Sequence, residues 1–161
     1  MGDGYELKCK RCGFTRDIYD GIGFGCPMVC AEILEEMKKG AFGKHFMEDA
    51  NNIPHAAVHQ ERIIFICDYC GEWREDTVID LCAPIGEYKE REGRFSVAID
   101  YLSSIQYVMS FDIEREYKII RSKQHRCGKC RHEMRPIKNN EKLKCPKCGI
   151  QLEKGDSFCW D

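Results

Sequence analysis

The fold prediction depends on the segment Cys127-Gly-Lys-Cys130, which fourteen residues separate from Cys145-Pro-Lys-Cys148-Gly149. Two cysteines separated by two residues are typical of a knuckle, a tight turn whose backbone amides face the thiolate sulfurs. Two knuckles can bring four sulfurs into a tetrahedron about 2.3 Å from a Zn²⁺ ion. The segment therefore predicts a closed, structural metal site with the ligands Cys127, Cys130, Cys145 and Cys148.

The residues between these two knuckles predict a short β-hairpin. Residues 134–138 have the pattern of one strand, Asn139-Asn140 of a turn, and residues 142–144 of the returning strand. Gly128 and Gly149 are expected to supply the unusual backbone angles that the knuckles need. A hairpin of this kind places its knuckles side by side, so the segment is predicted to be a self-contained zinc ribbon.

The composition agrees with a protein held together by metal. The chain has 161 residues, 43% of them apolar, and a mean hydropathy of −0.50, so its core is modest. Small domains of this kind usually need metals or disulfides. The chain carries twelve cysteines, and no apolar run of a signal peptide follows Met1. We therefore expect a cytoplasmic protein, without a membrane span, that uses its cysteines for metal.

Two further knuckles lie upstream, at Cys9-Lys-Arg-Cys12-Gly13 and Cys67-Asp-Tyr-Cys70-Gly71. Strand-like segments flank both of them, and residues 61–67 form the strongest strand pattern of the chain, rich in β-branched and aromatic residues. These knuckles predict a second zinc site, for a total of two Zn²⁺ per chain, with the ligands Cys9, Cys12, Cys67 and Cys70.

The residues between these two knuckles predict helices. Pro27 is suited to the start of a helix that runs to about Lys39 and ends at Gly40. Its apolar residues recur at helical spacing, which makes Cys30 a buried core thiol. A shorter helix is expected over residues 44–50, and the glycine-rich stretch at residues 20–25 is expected to be a plain loop.

A local alternative would pair Cys9 and Cys12 with Cys26 and Cys30. The gap between the latter two is wider, no glycine follows, and the pair lies at a helix start. This choice would also leave the intact knuckle at residues 67–70 unused, so the long-range pairing is favoured. The sequence leaves the roles of four cysteines open, namely Cys26, Cys30, Cys82 and Cys159.

The predicted fold class is α+β, with two zinc-ribbon β modules. Residues 1–120 form the first module, with a helical insertion at about residues 26–60 between its knuckles and further strands after them, including residues 95–101 and 105–111. Residues 121–161 form the C-terminal basic ribbon. His55 and His59 are four residues apart, but no third ligand is evident, so both are expected to be surface or core histidines.

Charge is distributed unevenly along the chain. Residues 121–154 hold 11 Lys and Arg against 3 Asp and Glu, whereas residues 1–120 hold 14 against 22. The basic ribbon could follow a nucleic-acid backbone, although stacking aromatics are missing between its basic residues. It could equally dock onto the acidic part or offset the charge of the thiolates. The basic residues are Arg126, Lys129, Arg131, Arg135, Lys138, Lys142, Lys144 and Lys147.

No catalytic or cofactor-binding constellation is visible in the sequence. Four-cysteine sites are closed, so neither metal is expected to activate water, and no serine or cysteine nucleophile is visibly paired with a base. The chain is therefore expected not to be an enzyme. Iron in the same tetrahedron would instead support electron transfer, and Cys145-Pro-Lys-Cys148-Gly149 is similar to the second rubredoxin knuckle.

The segments Lys8-Cys-Lys-Arg-Cys-Gly-Phe14, Gly21-Ile-Gly-Phe-Gly25 with Pro27, Cys67-Asp-Tyr-Cys-Gly71 and the terminal knuckles resemble those of uncharacterised bacterial double zinc-ribbon proteins. The resemblance covers nearly the whole chain. It implies two structural zinc sites and no assigned activity. Because eight cysteines form four knuckles with no open coordination site, we expect a binding or adaptor protein with an unidentified protein partner.

Overall fold

A computed structural model of the chain describes residues 2–23, 26–88, 107–138 and 141–160. The chain divides into two units. Unit 1 consists of Met1–Gly23, Glu61–Thr77 and Gln124–Asp161, and unit 2 consists of Phe24–Gln60 and Val78–Lys123. This division differs from the boundary expected near residue 120, because the C-terminal segment belongs to the same unit as the N-terminal one.

The described residues form an α+β fold, as predicted. In chain order the elements are β1 (Gly2–Lys8), β2 (Thr15–Asp20), α1 (Cys26–Lys38), α2 (Lys44–Asn52), β3 (Ala57–Ile66), β4 (Trp73–Pro84), β5 (Tyr107–Val108), a 3-10 helix (Ser110–Asp112), β6 (Tyr117–Ser122), β7 (His125–Arg126), β8 (Glu133–Pro136) and β9 (Glu153–Trp160). The strand predicted at residues 95–101 lies outside the described residues.

In unit 1, β1 is the middle strand of an antiparallel sheet with β2 on one side and β9 on the other. Gly4 pairs with Tyr19 of β2 and with Phe158 of β9. A β-carbon on Gly4 would lie 2.2 Å from the Phe158 ring. The Tyr19 and Phe158 rings instead meet edge to face, with their centroids 5.6 Å apart. Glycine therefore leaves room for an aromatic contact that joins the two outer strands.

The remaining strands of unit 1 correct the hairpin predicted for residues 134–144. Strand β8 pairs with β7, and it also pairs with the end of β3 through Phe65↔Pro136 and Ile66↔Arg135. Residues 142–144 do not return along β8. Lys144 instead forms an isolated antiparallel bridge with Gln151, close to its own knuckle.

An apolar cluster lies in unit 1. Its buried members are Leu7, Cys9, Ile18, Ile64, Trp73, Leu143, Cys145 and Leu152. The indole N–H of Trp73 donates a 2.7 Å hydrogen bond to the carbonyl of Lys144, the residue before Cys145. Trp73 therefore contributes apolar area and also orients the chain that leads into a knuckle. Because the knuckle residues Cys9 and Cys145 are part of this core, packing and knuckle geometry are coupled in unit 1.

Unit 2 confirms the helices predicted between the first two knuckles. Helix α1 ends at Lys38, and Gly40 then adopts a positive φ of 91°, which suits a helix terminator. Cys30 is fully buried, as expected. Strand β6 pairs antiparallel with the end of β4, and β5 pairs in parallel with the start of β3. Residues predicted to continue as a strand to Phe111 instead turn into the 3-10 helix.

Candidate metal centres

All four knuckles share one backbone geometry. The Cys9 N–H donates to the Phe14 carbonyl over 2.8 Å, and the Gly13 N–H donates to the Cys9 carbonyl over 3.0 Å. The same two bonds form at Cys67, Cys127 and Cys145, over 2.7 to 2.9 Å. Each sequence motif therefore folds into the predicted turn, and its inward amides are free of strand pairing and face the sulfurs.

The residue after the second cysteine of each knuckle adopts a left-handed backbone. Gly13, Gly71 and Gly149 have φ values of 69°, 72° and 74°. In the third knuckle this position is Arg131, with a φ of 66°. Gly128 was expected to supply the unusual angle there, and this expectation is wrong because the strained position follows Cys130 rather than Cys127. A residue with a β-carbon in this region costs about 1–2 kcal/mol relative to the right-handed conformation.

The eight knuckle cysteines meet in two groups of four. Site 1 consists of Cys9, Cys12, Cys145 and Cys148, and site 2 consists of Cys67, Cys70, Cys127 and Cys130. The sulfurs of each group lie within 4.8 Å of one another. In every knuckle the first cysteine is buried, whereas the second is intermediate or exposed.

The distances between sulfurs fit a shared metal ion. The Sγ atoms of Cys9 and Cys148 are 3.4 Å apart, and those of Cys67 and Cys130 are 3.5 Å apart. A tetrahedron with metal–sulfur bonds of about 2.3 Å has edges of about 3.8 Å. A disulfide would need about 2.05 Å, and no disulfide joins any of the twelve cysteines, all of which are among the described residues. Each group could therefore hold one metal ion.

The pairing of knuckles differs from the predicted one. Cys9 and Cys12 meet the last knuckle rather than Cys67 and Cys70, and the third knuckle meets the second rather than the fourth. Strand pairing explains the difference. Strand β1 leads into the first knuckle and pairs with β9, which follows the fourth. Strand β3 leads into the second knuckle and pairs with β8, which follows the third.

The local alternative for the first site does not occur. Cys26 and Cys30 lie in unit 2, where their sulfurs are 3.6 Å apart and buried. The hydrogen bond with Cys26, followed by burial, raises the pKa of the Cys30 thiol. Burial, with Asp80 nearby, raises the pKa of Cys82 to about 12. With these raised pKa values, Cys30 and Cys82 are protonated core thiols at neutral pH. Cys159 is exposed and belongs to neither site.

The two histidines singled out by spacing do not join either cysteine group. The His55 ring stacks on Tyr88, with the centroids 3.9 Å apart. His59 is buried, and its Nδ1 lies 3.0 Å from Oδ2 of Asp80. The expectation of surface or core histidines is confirmed for both, because His55 is exposed and His59 is buried.

Backbone amides and neighbouring thiols divide each group into acidic and weakly acidic sulfurs. The Cys12 amide, opposed by burial, lowers the pKa of Cys9 to about 6, and the Cys130 amide lowers that of Cys127 to about 7. The Ile150 amide favours the Cys148 thiolate, but burial and the adjacent thiols prevail and raise its pKa to about 12. Burial and the adjacent thiols likewise raise the pKa of Cys130 to about 12. Four thiolates in one group therefore require a cation.

The fold also brings together basic and acidic side chains that are far apart in the sequence. The Arg135 guanidinium donates to Asp68 of the second knuckle over 2.7 Å and to Glu141 over 2.8 Å. Arg135, followed by the Lys138 amide, lowers the pKa of Glu141 to about 2. Unit 1 contains 15 Lys and Arg and 14 Asp and Glu, so the metal-binding unit is close to neutral rather than strongly basic.

The structure thus defines an α+β protein with two four-cysteine groups, each able to hold a metal ion. No protein-family model, curated protein or solved structure matches the chain. In the part of the chain that the structure describes, neither helix is long and apolar enough to cross a bilayer.

Metal binding should release protons. Because the pKa values of Cys130 and Cys148 are about 12, each site must lose at least one proton at neutral pH when all its sulfurs become ligands. We expect the apparent zinc affinity of each site to rise at least tenfold per pH unit between about pH 6.5 and 8. Competition with a chelator of known pH dependence measures this slope. Cys159→Ser is the control and should have the same slope, whereas an affinity independent of pH would contradict the prediction.

Arg131 should destabilise its knuckle. We expect Arg131→Gly to raise the free energy of unfolding by about 0.5 kcal/mol, because relief of the left-handed strain exceeds the added entropy of the unfolded chain. The matched change Gly71→Ala should lower it by about 1 kcal/mol, and since no atom lies within 4 Å of the new β-carbon, the loss would reflect backbone angles alone. Chemical unfolding at a fixed free zinc concentration tests both. If both substitutions changed the free energy of unfolding in the same direction, the left-handed strain assigned to Arg131 would be refuted.

Proposed function

We propose that the chain is a zinc-binding protein in which two structural four-cysteine sites hold unit 1 together, and that it acts by binding a partner protein. The observation that carries the proposal is the presence of two complete four-cysteine groups in one unit. Four thiolates at tetrahedral spacing suit Zn²⁺, and such a set leaves no open position for water or substrate.

The positions of the ligands support a structural role. Site 1 links Cys9 to Cys148, which are 139 residues apart, and site 2 links Cys67 to Cys130, which are 63 apart. Unit 1 is built from three separate segments of the chain, and each segment carries at least one knuckle. Two ions would therefore hold together a unit whose apolar cluster is small, and their binding free energy would be folding free energy.

Other features support the proposed partner protein and compartment. On helix α1 the side chains of Met28 and Val29 are 48% and 41% exposed, which supports contact with another protein. Twelve cysteines without a disulfide suit a reducing compartment such as the cytoplasm.

Zinc counts on double variants should reveal the pairing. We expect two zinc ions per wild-type chain by native mass spectrometry. Cys9→Ser with Cys148→Ser should leave one ion, because both substitutions fall in site 1. Cys9→Ser with Cys67→Ser should leave none, because one falls in each site. Cys159→Ser should keep both ions.

The reverse pattern for the two double variants would restore the pairing expected from sequence, and a wild type with fewer than two ions would refute the two-site proposal. The same samples test the iron alternative. Site 1 is set in an apolar cluster that contains Trp73, with Phe14 packed against it, and such surroundings suit a rubredoxin-like centre. A red preparation with a reversible iron couple would favour electron transfer, and a colourless zinc-loaded one would exclude it.

A second candidate function is nucleic-acid binding through site 2. Tyr69 is 72% exposed, and its ring stacks on His132 with the centroids 4.0 Å apart. Lys129 and Arg131 are exposed beside His132 in the sequence. The fold thus supplies the stacking aromatic that the basic segment lacks, although the near-neutral charge of unit 1 argues against strong attraction to phosphates.

We expect the intact protein to show no micromolar binding to short single- or double-stranded DNA or RNA at physiological salt, because unit 1 carries almost balanced charge. Fluorescence anisotropy at low and physiological salt measures this. Micromolar binding that falls about tenfold in Tyr69→Ala and survives in Tyr69→Phe would place nucleic-acid binding first.

A further inference from the structure

Three side chains of unit 2 form a line: Asp80 on β4, His59 on β3 and Ser110 at the start of the 3-10 helix. Nδ1 of His59 lies 3.0 Å from Oδ2 of Asp80, and Nε2 of the same ring lies 3.4 Å from Oγ of Ser110. Both Asp80 and His59 are 5% exposed, whereas Ser110 is exposed. The arrangement therefore leads from a buried carboxylate through an imidazole to a hydroxyl at the surface.

The sheet positions these groups. His59 lies on β3 directly opposite Val108 of β5, so Ser110 follows two residues after that pair. Asp80 lies on β4, which neighbours β3 on its other side. Alternate residues of a strand face the same side, and Ala57 and Cys82, two residues from His59 and Asp80, are both members of one buried cluster. His59 and Asp80 are therefore held on the packed face of the sheet.

A buried carboxylate also holds the turn that carries the serine. Asp112 is fully buried, and its carboxylate accepts a 3.0 Å hydrogen bond from the Met109 N–H. The Asp112 N–H donates back to the Met109 carbonyl over 2.9 Å. Ser110 lies between these two residues in the 3-10 helix. Its Cα position is thus set by backbone bonds on both sides.

The hydrogen-bond roles follow from chemistry. An ionised carboxylate only accepts, so Nδ1 of His59 carries the proton and donates to Asp80. Nε2 then presents its lone pair to the Ser110 hydroxyl, which donates to it. A nucleophile within reach of a base that a third group orients is the general signature of an activated nucleophile, and the distance between nucleophile and base is often longer without substrate.

We propose that Ser110, His59 and Asp80 form a hydrolytic site for small esters, separate from the cysteine sites of unit 1. Ser110 Oγ attacks the ester carbonyl carbon as its proton passes to Nε2 of His59. The carbon–oxygen bond to the alcohol breaks, and the alcohol leaves with that proton. Water then attacks the acyl-serine and gives up a proton to Nε2. The bond between the acyl carbon and Ser110 Oγ breaks, Oγ takes the proton back from Nε2, and the carboxylic acid is released. Asp80 is a positioning residue that holds the imidazole.

The surroundings of Ser110 indicate the substrate class. Phe111, the next residue, is 57% exposed and offers an apolar contact at the surface. The neighbouring Arg115 is paired with Asp112 and Glu116, so its charge is already balanced. The site therefore suits a short, uncharged acyl ester that arrives from solvent. The buried thiols Cys30 and Cys82 do not compete as nucleophiles, because both pKa values are raised.

The test uses the full-length, zinc-loaded protein with a fluorophosphonate probe, which labels activated serines, and peptide mass spectrometry to locate the adduct. We expect one adduct, on Ser110. Ser110→Ala should lose it, and Ser122→Ala, an exposed serine of the same unit, should keep it. His59→Gln should label at least about 100-fold more slowly. With p-nitrophenyl acetate, Asp80→Asn should lower kcat with little change in KM.

An absence of the Ser110 adduct in the wild type would overturn the proposal, as would labelling of Ser110 at an unchanged rate in His59→Gln. Ser110→Ala changes only an exposed side chain and should fold normally, with two zinc ions still bound. The zinc count and the serine labelling are therefore read separately. Failure of the hydrolytic site leaves the zinc proposal standing, and failure of the zinc proposal leaves the labelling result valid.

Discussion

Four sulfurs confined within 4.8 Å of one another impose the constraint on which unit 1 depends. Backbone amides can stabilise one thiolate in a group, as they do for Cys9 and Cys127, but the next ionisations are opposed by burial and by the neighbouring thiols. A divalent cation would remove this conflict. An ion bound there would also join segments that are far apart in the chain, so coordination and folding would become one process. The apolar cluster of unit 1 includes Cys9 and Cys145 and cannot be separated from the ligands.

Strand pairing then decides which knuckles share an ion. The four turns are almost identical in backbone geometry, and their local bonds would fit any partner. The outer knuckles meet because β1 and β9 are neighbours, a pairing favoured by rings that close over Gly4. The inner knuckles meet because β8 joins β3. The result is nested, with the first knuckle joined to the last and the second to the third.

The two units divide the chemistry between them. In unit 1 the cysteines are arranged for a cation, and acidic side chains such as Asp68 and Glu141 balance the nearby Arg135. In unit 2 the thiols are buried, with raised pKa values at Cys30 and Cys82. There the His59 ring lies between the Asp80 carboxylate and the Ser110 hydroxyl, the arrangement we propose as a serine site. A closed metal site and a serine site need different surroundings in a fold. The first needs ligands shielded from solvent, whereas the second needs one hydroxyl exposed to it.

The sequence by itself determined the features that depend on neighbouring residues. Spacing identified all eight knuckle cysteines, and helical periodicity predicted helix α1 and the burial of Cys30. Both predictions succeed because turns and amphipathic helices depend on residues a few positions apart. Tertiary structure decided the rest. Four equivalent knuckles allow three pairings, and only strand register over more than a hundred residues selects one. Tertiary structure also brings Asp80, His59 and Ser110 together, since no local motif connects them. Basic and acidic side chains that are far apart in the sequence likewise become neighbours only when distant segments pack. Long-range pairing depends on the summed packing of whole strands, and no single stretch of sequence carries that information.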